Sequence, residues 1–221
     1  MIKGAYKRFE TVTLFAIAMA FLEALFVVYL RSIPHSIGSS IYNLELAREA
    51  ATIIMLACIG ILAGRERYEK FAFFLYSFAV WDIFYYVFLK IVLGWPPSML
   101  AWDTLFYIPI KWFGPVLAPV LVSLTLILFA IVIEKAEGTR KKVRIRAGEE
   151  ALLIIGCFVI LFTFLYDYAK LLLEGASGLS SAQMQQIINS YTPTTYNWPA
   201  FILGEMIILI GIGMFYYRYR R

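Results

Sequence analysis

The chain has 221 residues, of which 62% are hydrophobic and 16% charged, and its mean hydropathy is +0.76. A soluble domain carries roughly 45–50% apolar and about 25% charged residues, so this composition excludes a disordered chain, a charged interaction module and an ordinary soluble globule. The net charge of +5 does not point to nucleic acid, because the basic residues collect in short segments between apolar runs.

A spanning helix needs about 20 predominantly apolar residues. Six stretches qualify: 12–31, 44–64, 71–93, 109–133, 150–173 and 199–217. Lys3, Lys7 and Arg8 precede the first, as they would in a signal peptide. Glu23 interrupts it, however, and no small-x-small cleavage site follows, so it reads as a retained span.

Basic residues mark the cytoplasmic side of a membrane protein. Here they precede span one, fill the turn with Arg65, Arg67 and Lys70, populate the linker from Lys135 to Arg146, and end the chain at Arg218, Arg220 and Arg221. Both termini are therefore expected in the cytoplasm, with a plasma membrane as the simplest location. The fold class expected is an all-α, polytopic bundle of six spans, forming one transmembrane domain over 1–221.

The connections on the other side differ in kind. Residues 32–43 form a short loop containing His35. Residues 94–108, GWPPSMLAWDTLFYI, mix aromatic and apolar residues after a double proline, which suits a short interfacial helix. Residues 174–198 hold SSAQMQQIIN, a second candidate interfacial helix with Ser180 or Ser181 as its cap. Span four carries Pro109, Pro115 and Pro119, so a kink is expected, with the carbonyls of Lys111 and Pro115 freed for packing or for a polar cavity.

Ionisable residues within the spans lie mainly in their outer halves. Counting about 1.5 Å per residue puts Glu23 and Asp82 near or just beyond the midplane, with Glu205 at similar depth and Glu49 and Asp167 farther out. Each charge at such depth costs on the order of 2.5–3.5 kcal/mol unless it is paired or neutralised. Arg48, Lys111 and Lys170 lie at depths suited to pairing. Asp82 and Tyr86 share one helix face, as do Glu45 and Glu49. Cys58 and Cys157 have no ligand spacing and read as packing residues, and Gly60, Gly64, Gly204 and Gly211 as helix-contact residues.

Three function classes fit this pattern. An enzyme acting on a lipid-like substrate would use Glu23, Glu49, Asp82 and Glu205 for proton transfer, or for holding one divalent metal ion together with His35. Arg48 and Lys111 would orient an anionic group, Tyr86 would donate to a carboxylate, and Asp167 with Lys170 would form a supporting pair. Ion- or proton-coupled transport is the second class. A non-catalytic subunit, assembly factor or lipid-binding protein is the third, with membrane lipids, a second copy or a membrane complex as partners. No HExxH, Glu-x-x-His or glycine-rich phosphate motif is present.

The run FAVWDIFYYVFLKIVLGWPPSMLAWDTLFYIPIKWFGPVLAP at 78–119 contains WD-x-x-YY and GWP-x-S elements, and REAAT stands at 48–52. Together they resemble stretches of uncharacterised prokaryotic six-span membrane proteins. The resemblance implies the topology and carries no activity or functional residue with it.

Overall fold

The computed structural model describes residues 2–32, 38–108, 110–139, 143–175 and 195–220. About 80% of the described residues are helical. The helices among the described residues are α1 (Ile2–Ser32), α2 (Gly38–Ala63), α3 (Arg67–Leu93), α4 (Leu117–Glu137), α5 (Ala147–Gly175) and α6 (Trp198–Tyr219). All six are long and apolar enough to cross a membrane, as a multi-pass membrane protein requires. His35, Pro109 and the SSAQMQQIIN segment lie outside the described residues.

Local chemistry sets the helix ends. Gly94 closes α3 in the left-handed conformation (φ 67°), its N–H donating to the Lys90 carbonyl, a role for which a residue without Cβ is suited. Asn197 opens α6, its side chain accepting from the Ala200 N–H at 3.1 Å, with Pro199 in the first turn, where no intrahelical N–H is needed.

Two expectations are corrected between α3 and α4. In place of an interfacial helix at 94–108 there is an antiparallel hairpin, β1 (Trp102–Phe106) paired with β2 (Trp112–Pro115), with a bulge between Thr104 and Phe106. Prolines 96, 97, 109 and 115 break a helical pattern, and Trp, Thr and Phe between them favour strands. The fourth helix therefore starts at Leu117, not at 109, and places Pro119 in its first turn. A proline there removes no intrahelical bond, so neither the expected kink nor its freed carbonyls arise.

A lone hairpin is marginal in water and needs a packing surface. Here Trp112 stacks on Phe164 of α5 with ring centroids 6.2 Å apart and planes within 17°. Gly114 permits that approach, since a Cβ there would lie 3.1 Å from the Phe164 ring.

α3 packs against α1, α2 and α4, while α6 packs against α5 and α4. The α5–α6 seam is close because Gly156 and Gly204 face each other. A Cβ on Gly204 would come 2.7 Å from Ile160 Cγ1 and 3.1 Å from the Gly156 carbonyl. The helix ends carrying the basic segments meet at one end of the bundle. Arg8 bridges Glu69 (2.9 Å) and Glu134 (3.0 Å) and donates to the Ala63 carbonyl. Arg218 holds Glu149 at 2.5 Å and the Arg144 carbonyl at 2.7 Å. The first helix begins and the last helix finishes at this arginine-rich end, and the hairpin occupies the other.

Candidate functional site

The site is built first on α2. Glu45, Arg48, Glu49 and Thr52 recur at intervals of three, one and three, which keeps them on one broad helix face. Arg48 reaches three carboxylates. It donates to Glu45 Oε2 from Nε (3.0 Å) and Nη2 (2.6 Å), its Nη1 pairs with Glu23 of α1, and its Nη2 lies 3.9 Å from Glu49 Oε1. Thr52 Oγ1 donates to Glu23 Oε2 at 3.1 Å, and the Phe26 ring lies under the guanidinium. All three acids are buried. A guanidinium suits this place because its five donors spread over a plane and serve several carboxylates at once.

The hairpin turn closes over this hub. The backbone N–H of Tyr107 donates to Glu49 Oε2 at 2.9 Å. Burial, followed by the negative charges of Glu45, Asp103 and Glu49, pushes the Tyr107 phenol up to about 12, so it stays neutral and able to donate. Lys111 lies against the Tyr107 ring, its Nζ 5.6 Å from the centroid, and burial lowers its pKa.

Asp82 and Tyr86 do share a face of α3, but they serve different partners. Ser123 Oγ of α4 donates to Asp82 Oδ2 at 2.8 Å, whereas the Tyr86 hydroxyl donates to Asp103 Oδ2 of β1 at 3.1 Å. Glu205 belongs elsewhere. Its Oε2 accepts from Thr125 Oγ1 at 2.8 Å. Ser123 and Thr125 are two residues apart, about 200° around the helix, so α4 stands between Asp82 and Glu205. Asp167 is half-buried and Lys170 exposed on α5, which packs against α6 and β2 and not within the α1–α2 hub.

The four carboxylates named as metal ligands are distributed over separate partners. Among the described residues no group of three or more His, Cys, Asp and Glu is placed to hold a metal ion. Glu23 and Glu49 surround a guanidinium, Asp82 holds a serine, and Glu205 lies across α4 from both. His35 is outside the described residues.

A lateral groove of about 1000 Å³ runs along the bundle. α4 and α6 form its floor with Thr125, Phe129, Glu205 and Ile208. One wall is α3, through Tyr68, Phe71 and Leu75, and the other is the α5 stripe from Glu150 through Leu153, Cys157 and Leu161 to Phe164. That stripe alone gives a length of about 21 Å. Trp112 closes the hairpin end, and Arg67 with Glu150 flank the arginine-rich end.

Among the described residues, Glu205 Oε1 and Trp112 Nε1, both lining this groove, are buried without a hydrogen-bond partner. Above them, Tyr196 hydrogen-bonds Thr163 at 2.8 Å and stacks on Phe164, and burial pushes its phenol well up. Thr52, Ser123, Thr125, Tyr107 and Trp112 also belong to these sites, though spacing and depth alone do not single them out. For the three hydroxyl residues a signal existed, since each lies in an apolar helix facing a neighbour that carries an acid.

No family model, curated protein or solved structure matches the chain.

Proposed function

We propose that this is a multi-pass protein of the plasma membrane, with both termini cytoplasmic, that binds a lipid-like molecule in the lateral groove between α3 and α5. The observation that carries the reading is the groove itself: about 1000 Å³, apolar along most of its length, with the carboxylate of Glu205 on its floor. Ligand sites are typically concave and apolar with a few placed polar groups, and about 300–1,000 Å³ in volume. On this reading the Arg48 hub is a fastening that holds α1, α2 and the hairpin in place. The lipid-like substrate expected from the aromatic and acidic residues becomes the ligand of this groove.

Photolabelling tests it. A diazirine-bearing lipid incorporated around the full chain should mark the α5 stripe at Leu153, Cys157 and Leu161 well above the exposed α2 residues Ile54 and Leu62, and Cys157→Trp should abolish that excess. Equal labelling of α2 and α5 would show ordinary lipid contact and sink the reading.

Proton or cation coupling is a second reading. It is favoured by the three carboxylates gathered on one guanidinium, an excess of acid over base at the hairpin end. An ion flux across vesicles that Glu49→Gln removes would support it, and no flux from a well-folded sample would count against it.

A further inference from the structure

The two partnerless atoms in the groove differ in what they need. An indole N–H can only donate, whereas the Glu205 oxygen accepts when ionised and can donate when protonated. Each is buried, and a buried polar atom left without a partner is disfavoured. Both side chains line the one groove: Trp112 stacks on Phe164 at the hairpin end, Phe164 contacts Phe201, and Glu205 lies one turn farther along α6 from Phe201, toward the middle of the groove. The groove's unsatisfied chemistry thus calls for a group that can accept from Trp112 and exchange a hydrogen bond with Glu205.

We infer that the groove binds a neutral lipid bearing a free hydroxyl, such as a long-chain alcohol or a diacylglycerol-like molecule, whose hydroxyl lies between Trp112 and Glu205. This rests on the groove being a lipid site and adds the chemical class of its occupant.

A hydroxyl both accepts and donates, so it satisfies Trp112 Nε1 and Glu205 Oε1 in either protonation state of the acid. An ammonium has no acceptor for the indole, and a carboxylate or phosphate would face an ionised Glu205 with like charge. Depth favours the same class. Glu205 lies about 10 Å along α6 from Trp198, below the level at which a charged headgroup is comfortable. A chain attached to the hydroxyl can then follow the apolar floor past Phe129 and Ile208 toward the arginine-rich end. Arg67 and Glu150 at that end carry opposite charges and give no net demand for an anion.

The test uses the full chain in lipid nanodiscs and four mid-chain diazirine probes of equal length: an alcohol, its methyl ether, a primary amine and an alkane. Labelling of the 153–161 stripe by the alcohol should exceed that by the alkane about tenfold at equal concentration, as two hydrogen bonds would give. The ether, which accepts but cannot donate, should fall between them. Trp112→Phe keeps the ring stack and should lower alcohol labelling severalfold, as should Glu205→Leu, while neither changes alkane labelling.

Equal labelling by alcohol and alkane, or strongest labelling by the amine, would overturn the hydroxyl assignment and leave the lipid groove standing. No preferential labelling of the stripe by any probe would overturn both. The alcohol–ether–alkane comparison needs only the wild-type chain, so it decides the matter if a variant fails to fold.

Discussion

Ser123 and Thr125 stand two residues apart on α4 and donate to carboxylates on opposite sides of it, Asp82 on α3 and Glu205 on α6. One helix thereby serves two separate polar sites. Ser123→Ala would leave Asp82 Oδ2 without this donor, at a cost of about 1–3 kcal/mol for a buried acceptor. It should lower thermal stability in detergent without changing lipid labelling of α5. Thr125→Val keeps the shape and removes the hydroxyl at Glu205. It should alter α5 labelling, with a stability loss of similar size.

Arg48 pairs with both Glu23 and Glu45 in the hub. Arg48→Met would leave buried acids without their counter-charge, and breaking such a pair costs about 3–5 kcal/mol. Combining it with Glu23→Gln and Glu45→Gln should recover part of that loss. Denaturation midpoints of the single and triple variants, measured in the same detergent, give the comparison. A triple variant no more stable than Arg48→Met would contradict the assignment of the hub as a charge-balanced fastening.

The α5–α6 seam makes its own prediction. A Cβ at Gly204 would meet Ile160 Cγ1 at 2.7 Å and the Gly156 carbonyl at 3.1 Å, whereas one at Gly213 meets nothing within 4 Å. Gly204→Ala should destabilise by about 1–3 kcal/mol through overpacking. Gly213→Ala should be neutral or slightly stabilising, since alanine is the better helix former. Equal effects at the two positions, read from thermal unfolding, would mean that the seam is not tightly packed.

Orientation can be read chemically. Cys58 and Cys157 are both exposed and must first be replaced by alanine. In that background Glu66→Cys, at the arginine-rich end, should react with a membrane-impermeant maleimide only after cells are opened. Met99→Cys, near the hairpin and 43% exposed, should react in intact cells. The reverse pattern would invert the proposed topology.

The spans were legible because apolar length is a one-dimensional signal: the cores of all six expected segments fall within helices, although α1 begins earlier, at Ile2, and α4 later, at Leu117. The hairpin was not legible, because Trp, Tyr and Thr at a membrane surface suit an interfacial helix as well as a strand, and only pairing decides. Arg48 has a depth suited to pairing with the acids, and the structure brings it to Glu23 and Glu49. Equal depth misled for Glu205. Depth says nothing about azimuth, and α4 separates it from Asp82. Glu69 and Glu149 were passed over because they sit beside basic segments and look like solvated ends, yet both are buried under arginines.

Tyr107 and Trp112 lie five residues apart in the hairpin, and the first is tied to α2 through Glu49 while the second is stacked on α5. That strap fixes the gap between distant helices at one end. At the other, the Ile145 N–H reaches the Tyr68 hydroxyl at 3.4 Å, so the linker before α5 is drawn against the start of α3. With both ends of the groove braced, its long side is the open route. A ligand would arrive sideways from the bilayer, and its rate of exchange would follow the fluidity of the surrounding lipid more than its concentration in water.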